Sequence, residues 1–515
     1  MTNGFFATRR ILALWLPRLP TDRLRRRNAF ASPDEPLVLS MRSGNARVVY
    51  AVDRNAARLK LRPGMPLASA RAIVNTMTVA EADLPADETL LAGIADWCDR
   101  FTPLVALDPP HGLILDITGA SSLFSGEAEM LKTVRDAIAD QGFAVCAAIA
   151  GTKAAARALA RYAPGVIAAS GEEAVCMAPL PVSALDLDIK DTHALRRAGL
   201  KTIGQVAGRT RDELMARFGK LMMQRLDHAL GLGDEPISPQ RVVPDFMAEH
   251  RFAEPVVTES FIADTLAALA RSLSQLLEER GQGVRLLEAA FFRSDGIVRR
   301  IAIEMARPLR DPEIIARLFR TRLDALNDPL DPGFGFDLIR LSALHAERLV
   351  AESVSLDTKA DEDKEIAFLI DRLSARFGAY RVLTFQPQDT HIPEAAGVAV
   401  PAQHADDTTL AWDTRNAGEP PRRPIRLFER PECIDVVAEV PDGPPASFKW
   451  RRVRHLVSHA EGPERIAMEW WHAHGRTRDY FRVEDRDGRR FWVYRDGIYG
   501  RETADPRWYM HGLFA

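Results

Sequence analysis

The sequence predicts a multidomain α+β protein that ends in a small β-rich domain. Its 515 residues exceed what one hydrophobic core supports, so we expect several units. Strands alternate with helices up to about residue 165, which is typical of an α/β domain. Most of the Trp and Tyr residues lie between 425 and 515, among short strands with a hairpin turn at Asp487-Gly488. This concentration indicates the separate β-rich domain.

Composition excludes several classes of protein. The formal net charge is -3, so the whole chain gives no sign of a nucleic-acid partner, and any such contact depends on local basic surface. The four cysteines are scattered without a CxxC pair, which argues against a zinc ribbon or disulfide framework and fits a reducing cytoplasm. The apolar run 11–16 ends at Pro17 and is too short for a signal peptide or a membrane span. It predicts a buried strand.

Local patterns in the first 165 residues predict alternating short strands and helices. In order they are a strand at 9–16, a basic helix around 23–27, strands at 36–40 and 47–52, a helix at 55–60, a strand at 113–117, a helix at 127–140 and a strand at 144–149. The turn Ser43-Gly44-Asn45 joins two of these strands, and Pro63-Gly64 ends the helix that follows them.

The middle of the chain predicts a helical segment followed by an α+β unit. Three short helical patterns separated by glycines occupy 190–232. The later elements are a helix at 258–280, a hairpin of 284–292 and 297–305 around Ser294-Asp295-Gly296, a helix at 312–326, a strand near 336–342 and a helix at 363–376. Residues 391–424 are rich in Pro, Ala, Asp and Thr without periodicity, which indicates a linker.

Four stretches together resemble a known family. They are VVYAVDRNAARLKLRPGMPLASA (48–70), LILDITGASSLF (113–124), AAIAGTKAAARALA (147–160) and LRRAGLKTIGQVA (195–207). In this order they resemble the fingers, two palm segments and half of the thumb's helix-hairpin-helix in Y-family (translesion) DNA polymerases. The resemblance implies a palm with inserted fingers over 1–165 (fingers about 25–85), a returning palm segment and helical thumb over 166–240, a little finger and following helix over 241–390, a linker over 391–424 and a β-rich partner-interaction domain over 425–515.

The family's metal-binding carboxylates align with positions that are not acidic here. Nucleotidyl transfer needs two metal ions held by carboxylates. Aligned on ILALWLPRLPTDRL and on LILDITGA, the four positions are Trp15, Pro17, His111 and Gly112. Magnesium prefers oxygen ligands, which none of these side chains offers, so we predict no metal, no cofactor and no polymerase activity. The steric-gate aromatic is also missing, since its neighbourhood is Leu19-Pro20.

Two nearby aspartates leave a second interpretation open, an active translesion polymerase with displaced metal ligands. Asp108 lies three residues before His111, so on an extended strand it would face the opposite way. Asp116 matches a position beyond the catalytic pair, where we expect it to stabilise the turn. A third interpretation is a structure-specific DNA-binding protein without a polymerase partner.

The motif LWLP and the C-terminal stretches RDYFRVEDRDGRRFWVYRDG and WYMHGLFA are similar to a catalytically silent branch of the Y family, which belongs to the bacterial mutasome. That similarity implies a cytoplasmic, nucleoid-associated scaffold in the SOS response, DNA damage tolerance and induced mutagenesis. The implied partners are damaged or primer-template DNA, bound weakly, the sliding clamp, an error-prone replicative-type DNA polymerase and a RecA-like or SulA-like accessory protein.

Several basic residues are candidates for phosphate binding. Arg58 and Lys153 match positions that hold the incoming triphosphate and predict a remnant nucleotide site, with ordinary surface pairing as the alternative; the partner tyrosine position holds Asn55. In the thumb, Asp-Leu-Asp at 186–188 replaces a glycine-rich phosphate-binding loop and would repel phosphate, which leaves Lys201 as the thumb's candidate. Further candidates, each with a solvated surface as the alternative, are Arg293, Arg299, Arg300 and the basic run 23–27.

The last domain interleaves aromatic and basic residues. This pattern fits an aromatic core with a charged rim, a partner-binding face or a platform for single-stranded bases. The tryptophans concerned are Trp450, Trp470, Trp471, Trp492 and Trp508. A clamp-binding candidate is Ile425, Leu427 and Phe428, although Pro424 stands where such peptides prefer Gln; residues 282–287 fit loosely but predict a core strand. The histidines 455, 459, 472 and 474 lack regular ligand spacing, so we predict no metal there.

Overall fold

The computed structural model describes residues 9–27, 34–233, 235–326, 328–349, 358–405, 423–439, 443–472 and 475–514. They form two compact units, an N-terminal unit within Met1–Leu356 and a C-terminal unit within Asp357–Ala515. Across these ranges, no helix is both long enough and apolar enough to cross a membrane.

The first part of the N-terminal unit contains two sheets with flanking helices. In chain order its elements are β1 Ile11–Trp15, α1 Leu19–Arg26, β2 Leu37–Ser43, β3 Ala46–Val52, α2 Arg54–Arg58, α3 Leu67–Ile73, β4 Thr78–Glu81, α4 Leu84–Cys98, β5 Val105–Asp108, β6 Gly112–Asp116, α5 Glu127–Asp140, β7 Cys146–Ala150 and α6 Lys153–Tyr162. The palm sheet has the order β5-β6-β1-β7, and the fingers sheet has the order β3-β2-β4. The predicted strands and helices of this region are confirmed within a few residues, whereas α3, β4, α4, β5 and α6 were not predicted.

The central strand β1 is apolar on both faces because the palm sheet is covered on both sides. Ile11 and Ala13 pack against the alanine-rich face of α6. Leu12 and Leu14 point to the opposite face, where they meet α4 and α5. This double burial explains why the strand reads as an uninterrupted apolar run instead of an alternating pattern.

A helical segment follows, as predicted for 190–232. Its helices are α7 Glu173–Met177, α8 Ile189–Arg197, α9 Ile203–Ala207 and α10 Arg211–Ala229. Thr202 caps α9 through a reciprocal capping box with Gln205, which fixes where this helix begins. Gly219 has a left-handed φ of 77° and bends α10, a conformation that favours glycine.

The little-finger sheet completes the N-terminal unit. Its elements are β8 Phe246–Val256, α11 Glu259–Glu279, β9 Gln282–Arg293, β10 Val298–Leu309, α12 Pro312–Asp324 and β11 Phe336–Arg348. The strands have the order β10-β9-β11-β8, and α11 packs on one face of the sheet. On the other face, Ala290, Phe292 and Leu338 join the same hydrophobic core as Trp97 of α4. The little finger is therefore docked on the palm through one face of its sheet.

The C-terminal unit contains a helix, a hairpin and a closed barrel. Its elements are α13 Thr358–Phe377, β12 Leu383–Pro387, β13 Gly397–Pro401, β14 Arg426–Ala438, β15 Pro445–Trp450, β16 Val453–Ile466, β17 Arg478–Asp485, β18 Arg490–Asp496 and β19 Arg507–Leu513. The strands β14 to β19 are antiparallel neighbours in chain order and close into a barrel. Phe448, Phe481, Phe491 and Val493 fill its interior.

The division between the units differs from the predicted domain boundaries. The helix predicted at 363–376 was grouped with the little finger, but α13 belongs to the C-terminal unit. The predicted linker 391–424 is structured in its first part, because Ile392 is buried in an apolar cluster with Ile466 and Tyr480. Residues 406–422 of that predicted linker lie outside the described residues.

Candidate functional site

The positions aligned with the family's carboxylates lie together at one end of the two central strands of the palm sheet, β1 and β6. Trp15 on β1 is the Cα partner of Gly112 on β6. The backbone N–H of Leu16 donates to the carbonyl of His111 at 2.9 Å. Pro17 follows directly on the chain. The alignment made from the sequence therefore corresponds to a real cluster in space.

Asp108 is enclosed beside this cluster by two arginines of α6. Its Oδ2 lies 2.8 Å from Arg157 Nε and 3.1 Å from Arg161 Nη2. An ideal Cβ placed on Gly112 would meet both the carbonyl oxygen and Oδ2 of Asp108 at 2.8 Å. A side chain at position 112 therefore does not fit unless Asp108 moves, and Asp108 is held by charge-assisted hydrogen bonds.

Asp116 stabilises the turn after β6, as predicted. Its Oδ1 accepts hydrogen bonds from the backbone N–H of Thr118 at 3.0 Å and from the Thr118 hydroxyl at 2.6 Å. Its Oδ2 pairs with Arg9 Nε at 3.0 Å. Both aspartates that could replace the missing ligands thus have arginine partners. Among the described residues, no three His, Cys, Asp or Glu side chains are grouped as a metal site would require.

A second pair of charged groups is buried next to His111. Burial lowers the pKa of His111, and Asp87 partly opposes this effect. Asp87 is itself bound to Arg23 Nε at 2.6 Å, with both side chains almost fully buried. Burial raises the pKa of Asp87 even though Arg23 acts in the other direction. The basic run 23–27 is thus only partly a solvated face, because Arg23 is an internal residue of the palm.

The two residues of the predicted remnant nucleotide site lie on different elements, Arg58 on α2 and Lys153 on α6. Arg58 is exposed at the end of α2. Lys153 is the first residue of α6, and its Nζ lies 3.8 Å from Glu235 Oε1. Asn55, in the partner tyrosine position, donates to the carbonyl of Asp34 at 3.2 Å. The structure therefore gives Lys153 the surface pairing that was the simpler interpretation.

The thumb loop at 186–188 is exposed, and an ion pair ties Asp186 to α6. Asp186 adopts a left-handed conformation with φ 55°, and its Oδ2 lies 2.5 Å from Arg157 Nη1 and 3.4 Å from Arg225 Nη1. Burial alone would raise the pKa of Asp186, but Arg157 outweighs that effect and lowers it. The carboxylate is consequently negative at the place where the family's loop meets phosphate. Lys201 remains exposed nearby.

Two of the three little-finger arginines are internal, which corrects their assignment as phosphate contacts. Arg293 is buried and pairs with Asp295 at 2.5 Å and Asp331 at 3.0 Å. Arg300 contacts three carboxylates, which are Asp96, Asp99 and Glu288 at 2.9, 2.7 and 2.7 Å. Arg299 is exposed and pairs with Asp328 at 2.6 Å. Sequence spacing cannot separate these three because it does not show which face of the hairpin meets the palm.

These internal arginines belong to a charged seam between palm and little finger, which sequence reasoning missed. On the palm side, the seam consists of Asp96, Trp97, Asp99 and Arg100; on the little-finger side, it consists of Glu288, Arg293, Arg300, Asp337 and Arg340. Arg340 pairs with Asp99 at 3.2 Å, Arg100 pairs with Asp337 at 3.0 Å, and Trp97 Nε1 donates to the Arg293 carbonyl at 3.1 Å. Burial opposes the charged form of Arg300, but the carboxylates of the seam outweigh it and raise its pKa.

The tryptophans of the barrel divide into two groups. Trp492 and Trp508 are buried and Trp450 is half-buried, which agrees with an aromatic core. Trp470 and Trp471 are 77% and 60% exposed. For these two residues, a partner-binding face stays the prediction. The histidines are not grouped: His455 pairs with Asp485 at 2.9 Å, His459 and His472 are exposed, and His474 lies outside the described residues.

The clamp-binding candidate lies at the start of the barrel. Leu427 is the Cα partner of Gly512, and Phe428 stacks on Trp450 with ring centroids 6.1 Å apart. Ile425 is 76% exposed. A clamp-binding peptide needs a free extended segment, so two of the three side chains would have to leave the barrel. The looser match at 282–287 is part of β9, as predicted.

Comparisons with known proteins identify relatives of this chain. Residues 25–161 match the impB/mucB/samB family, and residues 244–358 match the C-terminal domain of that family. DNA polymerase IV of Dehalococcoides mccartyi (strain CBDB1) is 24% identical over 307 residues, which cover 58% of this chain and 77% of that protein. The solved structure of DinB from Sulfolobus solfataricus covers 65% of this chain and 98% of its own, with 14% identity and a TM-score of 0.39.

The chain is a Y-family DNA polymerase homologue. This class follows from the two family matches, together with the palm and little-finger sheets. A more specific match is Protein ImuB of Caulobacter vibrioides (strain NA1000 / CB15N). It is 40% identical over 466 residues, which cover 88% of this chain and 99% of that protein. The chain therefore belongs to the ImuB family. This confirms the resemblance drawn from the palm and C-terminal motifs.

Proposed function

We propose that this protein is a non-catalytic, polymerase-shaped scaffold in DNA damage tolerance and induced mutagenesis. In this proposal the N-terminal unit engages primer-template DNA weakly. The C-terminal unit recruits partners, namely the sliding clamp, an error-prone replicative-type polymerase and a RecA-like or SulA-like accessory protein. Several weak contacts on one chain give useful combined affinity without a catalytic step.

The observation that carries the proposal is the repacked metal position. Trp15 and Gly112 face each other where carboxylates are expected, and Asp108 occupies the space that a side chain at position 112 would need. A two-metal mechanism requires free carboxylate oxygens directed at both ions. Asp108 and Asp116 are both bound to arginines, which argues against the alternative of displaced ligands.

Primer extension by the full-length protein tests the catalytic part. The protein is incubated with primer-template, four dNTPs and either Mg²⁺ or Mn²⁺, with an active Y-family polymerase as the positive control. We expect no incorporation by the wild type. The double variant Trp15→Asp/Gly112→Glu is also expected to be inactive, because Asp108 obstructs position 112. Incorporation that disappears in Asp116→Asn would establish the displaced-ligand polymerase instead.

A deletion in cells tests the recruitment part. Removing the chain from Asp357 onward deletes one compact unit and leaves the other intact. We expect damage-induced mutagenesis to be lost while the N-terminal unit is still made, as checked by immunoblot. A substitution of the exposed pair, Trp470→Ala/Trp471→Ala, tests the partner face without removing the unit. Normal mutagenesis in the deletion strain would exclude the recruitment role.

A further inference from the structure

Exposed cations gather at one end of the C-terminal barrel. Two hairpin turns contribute them, the β15–β16 turn and the β17–β18 turn. Because β14 to β19 are successive antiparallel neighbours, these two turns lie at the same end of the barrel. The exposed cations of this surface, called here the basic barrel end, are Lys449, Arg451, Arg452, Arg454, Arg486, Arg489 and Arg490.

Backbone contacts fix the two turns side by side. The N–H of Arg486 donates to the carbonyl of Leu456 at 3.1 Å. The buried pair His455–Asp485, at 2.9 Å, joins the same two strands from inside. Lys449 is the Cα partner of Arg454, so these two cations are neighbours on the outer surface. The cations thus form one continuous surface.

Much of this positive charge is not neutralised locally. Arg451 pairs with Glu432, and Arg489 lies 3.4 Å from Asp487. Further carboxylates near the surface are Asp435, opposite Lys449 in the register, and Glu484, opposite Arg490. Four cations have no carboxylate within 4.0 Å among the described residues, and these are Lys449, Arg452, Arg454 and Arg486.

The β15–β16 turn carries arginines in a backbone conformation that does not favour them. Arg451 and Arg452 both have positive φ, 45° and 70°. Two-residue hairpin turns of this kind prefer Asn-Gly, because a Cβ is disfavoured at positive φ. Backbone strain of this kind is concentrated at functional sites. The turn therefore holds two arginines at the expense of local backbone preference; Arg451 pairs with Glu432, and Arg452 has no carboxylate within 4.0 Å in the described ranges.

We propose that the basic barrel end binds the phosphate backbone of single-stranded DNA. Arginine forks match phosphate geometry, and seven exposed cations occupy this surface, whereas the core of a protein interface is depleted of charged residues. Val453 and Leu456 are exposed between the cations. They offer apolar contacts to unpaired bases, which a duplex keeps stacked inside. This inference extends the proposed function, which assigned DNA only to the N-terminal unit.

Fluorescence anisotropy with full-length protein and a labelled oligo(dT) of about 30 nucleotides tests the proposal. The variant Arg452→Gln/Arg454→Gln/Arg486→Gln removes three of the four cations that have no carboxylate within 4.0 Å in the part of the chain that the structure describes. We expect at least a tenfold loss of affinity at low salt. The slope of log K against log salt should fall in magnitude by about 2, since each phosphate contact contributes roughly 0.7.

The matched control removes three exposed cations from the opposite end of the same barrel, as Arg476→Gln/Arg501→Gln/Arg507→Gln, and should bind like the wild type. A second variant, Arg452→Gly, relieves the positive φ of one turn residue and leaves the Arg451–Glu432 ion pair in place. It should raise the thermal midpoint of the barrel and still weaken binding, which separates a binding defect from misfolding.

Three results with oligo(dT) would overturn the proposal. They are no binding of oligo(dT) by the wild type, equal losses in the control and the test variant, and competition by polyglutamate as effective as that by oligo(dT). The last outcome would assign the surface to an acidic protein. A duplex with the same number of phosphates should bind more weakly than oligo(dT); tighter binding of the duplex would reject the single-strand assignment. None of these results bears on primer extension, so the proposed lack of catalysis is tested separately.

Discussion

The seam of the N-terminal unit and the basic barrel end both contain clusters of arginine, but the two clusters differ in burial. Arg300 of the seam has an 11% exposed side chain and contacts three carboxylates. Arg452 and Arg454 of the barrel end are exposed and have no carboxylate within 4.0 Å among the described residues. In the linear sequence both clusters look like candidates for phosphate contact. The structure shows that burial decides whether an arginine joins two parts of the protein or remains available to a ligand.

The energetic consequences of the two arrangements also differ. A buried guanidinium loses hydration, which only a close and complete set of carboxylate partners offsets. In the seam this set is supplied by both palm and little finger, and Arg300 and Arg340 also lie 5.7 and 5.4 Å from the ring of Phe292. An exposed arginine keeps its hydration and contributes little to stability. Substitutions in the seam should therefore lower the free energy of unfolding, whereas substitutions at the basic barrel end should weaken DNA binding.

The largest expected effect is the loss of stability in Arg300→Met. The variant removes the cation that contacts Asp96, Asp99 and Glu288 together, while Arg241 still pairs with Asp96 and Glu288 and Arg340 with Asp99. We therefore expect the N-terminal unit to lose about 3 kcal/mol of unfolding free energy, the lower end of the range for a broken buried ion pair. Urea unfolding followed by ¹⁹F NMR of 5-fluorotryptophan protein measures this, because the buried Trp97 resonance reports the seam.

The matched barrel variant is Arg454→Met. It should change the unfolding free energy by no more than about 0.5 kcal/mol, because the side chain is exposed and unpaired. The buried Trp492 resonance reports the barrel in the same experiment. Equal losses in the two variants would mean that burial does not distinguish the clusters.

A smaller effect is the pH dependence of barrel stability that arises from His511, a buried histidine of the C-terminal unit that is neutral. Burial lowers the pKa of His511 to about 4, although Glu394 acts in the other direction. Between about pH 6.5 and 4 the unfolded chain binds a proton that the folded barrel does not, so protons favour unfolding. The contribution of neutral His511 to the free energy of unfolding is complete above pH 6.5. It decreases by up to about 3 kcal/mol as the pH falls to 4.

The comparison variant for this pH dependence is His511→Gln. It removes the titrating group from the contact with the Tyr480 hydroxyl, which lies 2.8 Å from Nδ1. The stability of the barrel, measured from the Trp492 resonance in urea, should then be nearly constant between pH 6.5 and 4. A wild-type barrel that is equally stable at pH 7 and pH 4.5 would contradict the assignment of a neutral buried histidine.

Much of the fold could be predicted because its strongest local signals agree with the tertiary structure. The helix at 127–140 and the hairpin around Ser294-Asp295-Gly296 follow from periodicity and turn chemistry, and both are present. The helix α4 was missed, although Asp83 caps it and Leu91, Ile94 and Trp97 are spaced to share a buried face. Without α4, the palm side of the seam was not predicted. The little-finger arginines that pack against α4 were therefore interpreted as surface residues.

The candidate site was predictable in position but not in detail. Alignment on short motifs placed Trp15 and Gly112 together correctly because both are anchored in palm strands. The partners of Asp108 could not be predicted, since Arg157 and Arg161 are distant in sequence and reach it only through the packing of α6 on the sheet. The same limitation applies to the barrel end, where two turns separated by more than thirty residues meet only after the barrel closes.

The smallest expected effect is on DNA binding by Arg299→Gln. Among the three little-finger arginines, Arg299 is the exposed one, and its charge is partly offset by Asp328 at 2.6 Å. We expect an affinity for oligo(dT) within about threefold of the wild type, because at most one phosphate contact is removed. The anisotropy experiment that compares the barrel variants measures this difference directly. A loss as large as that of the triple barrel variant would place the main DNA path on the little finger, and the contrast between a structural seam and a ligand-binding barrel end would then be incorrect.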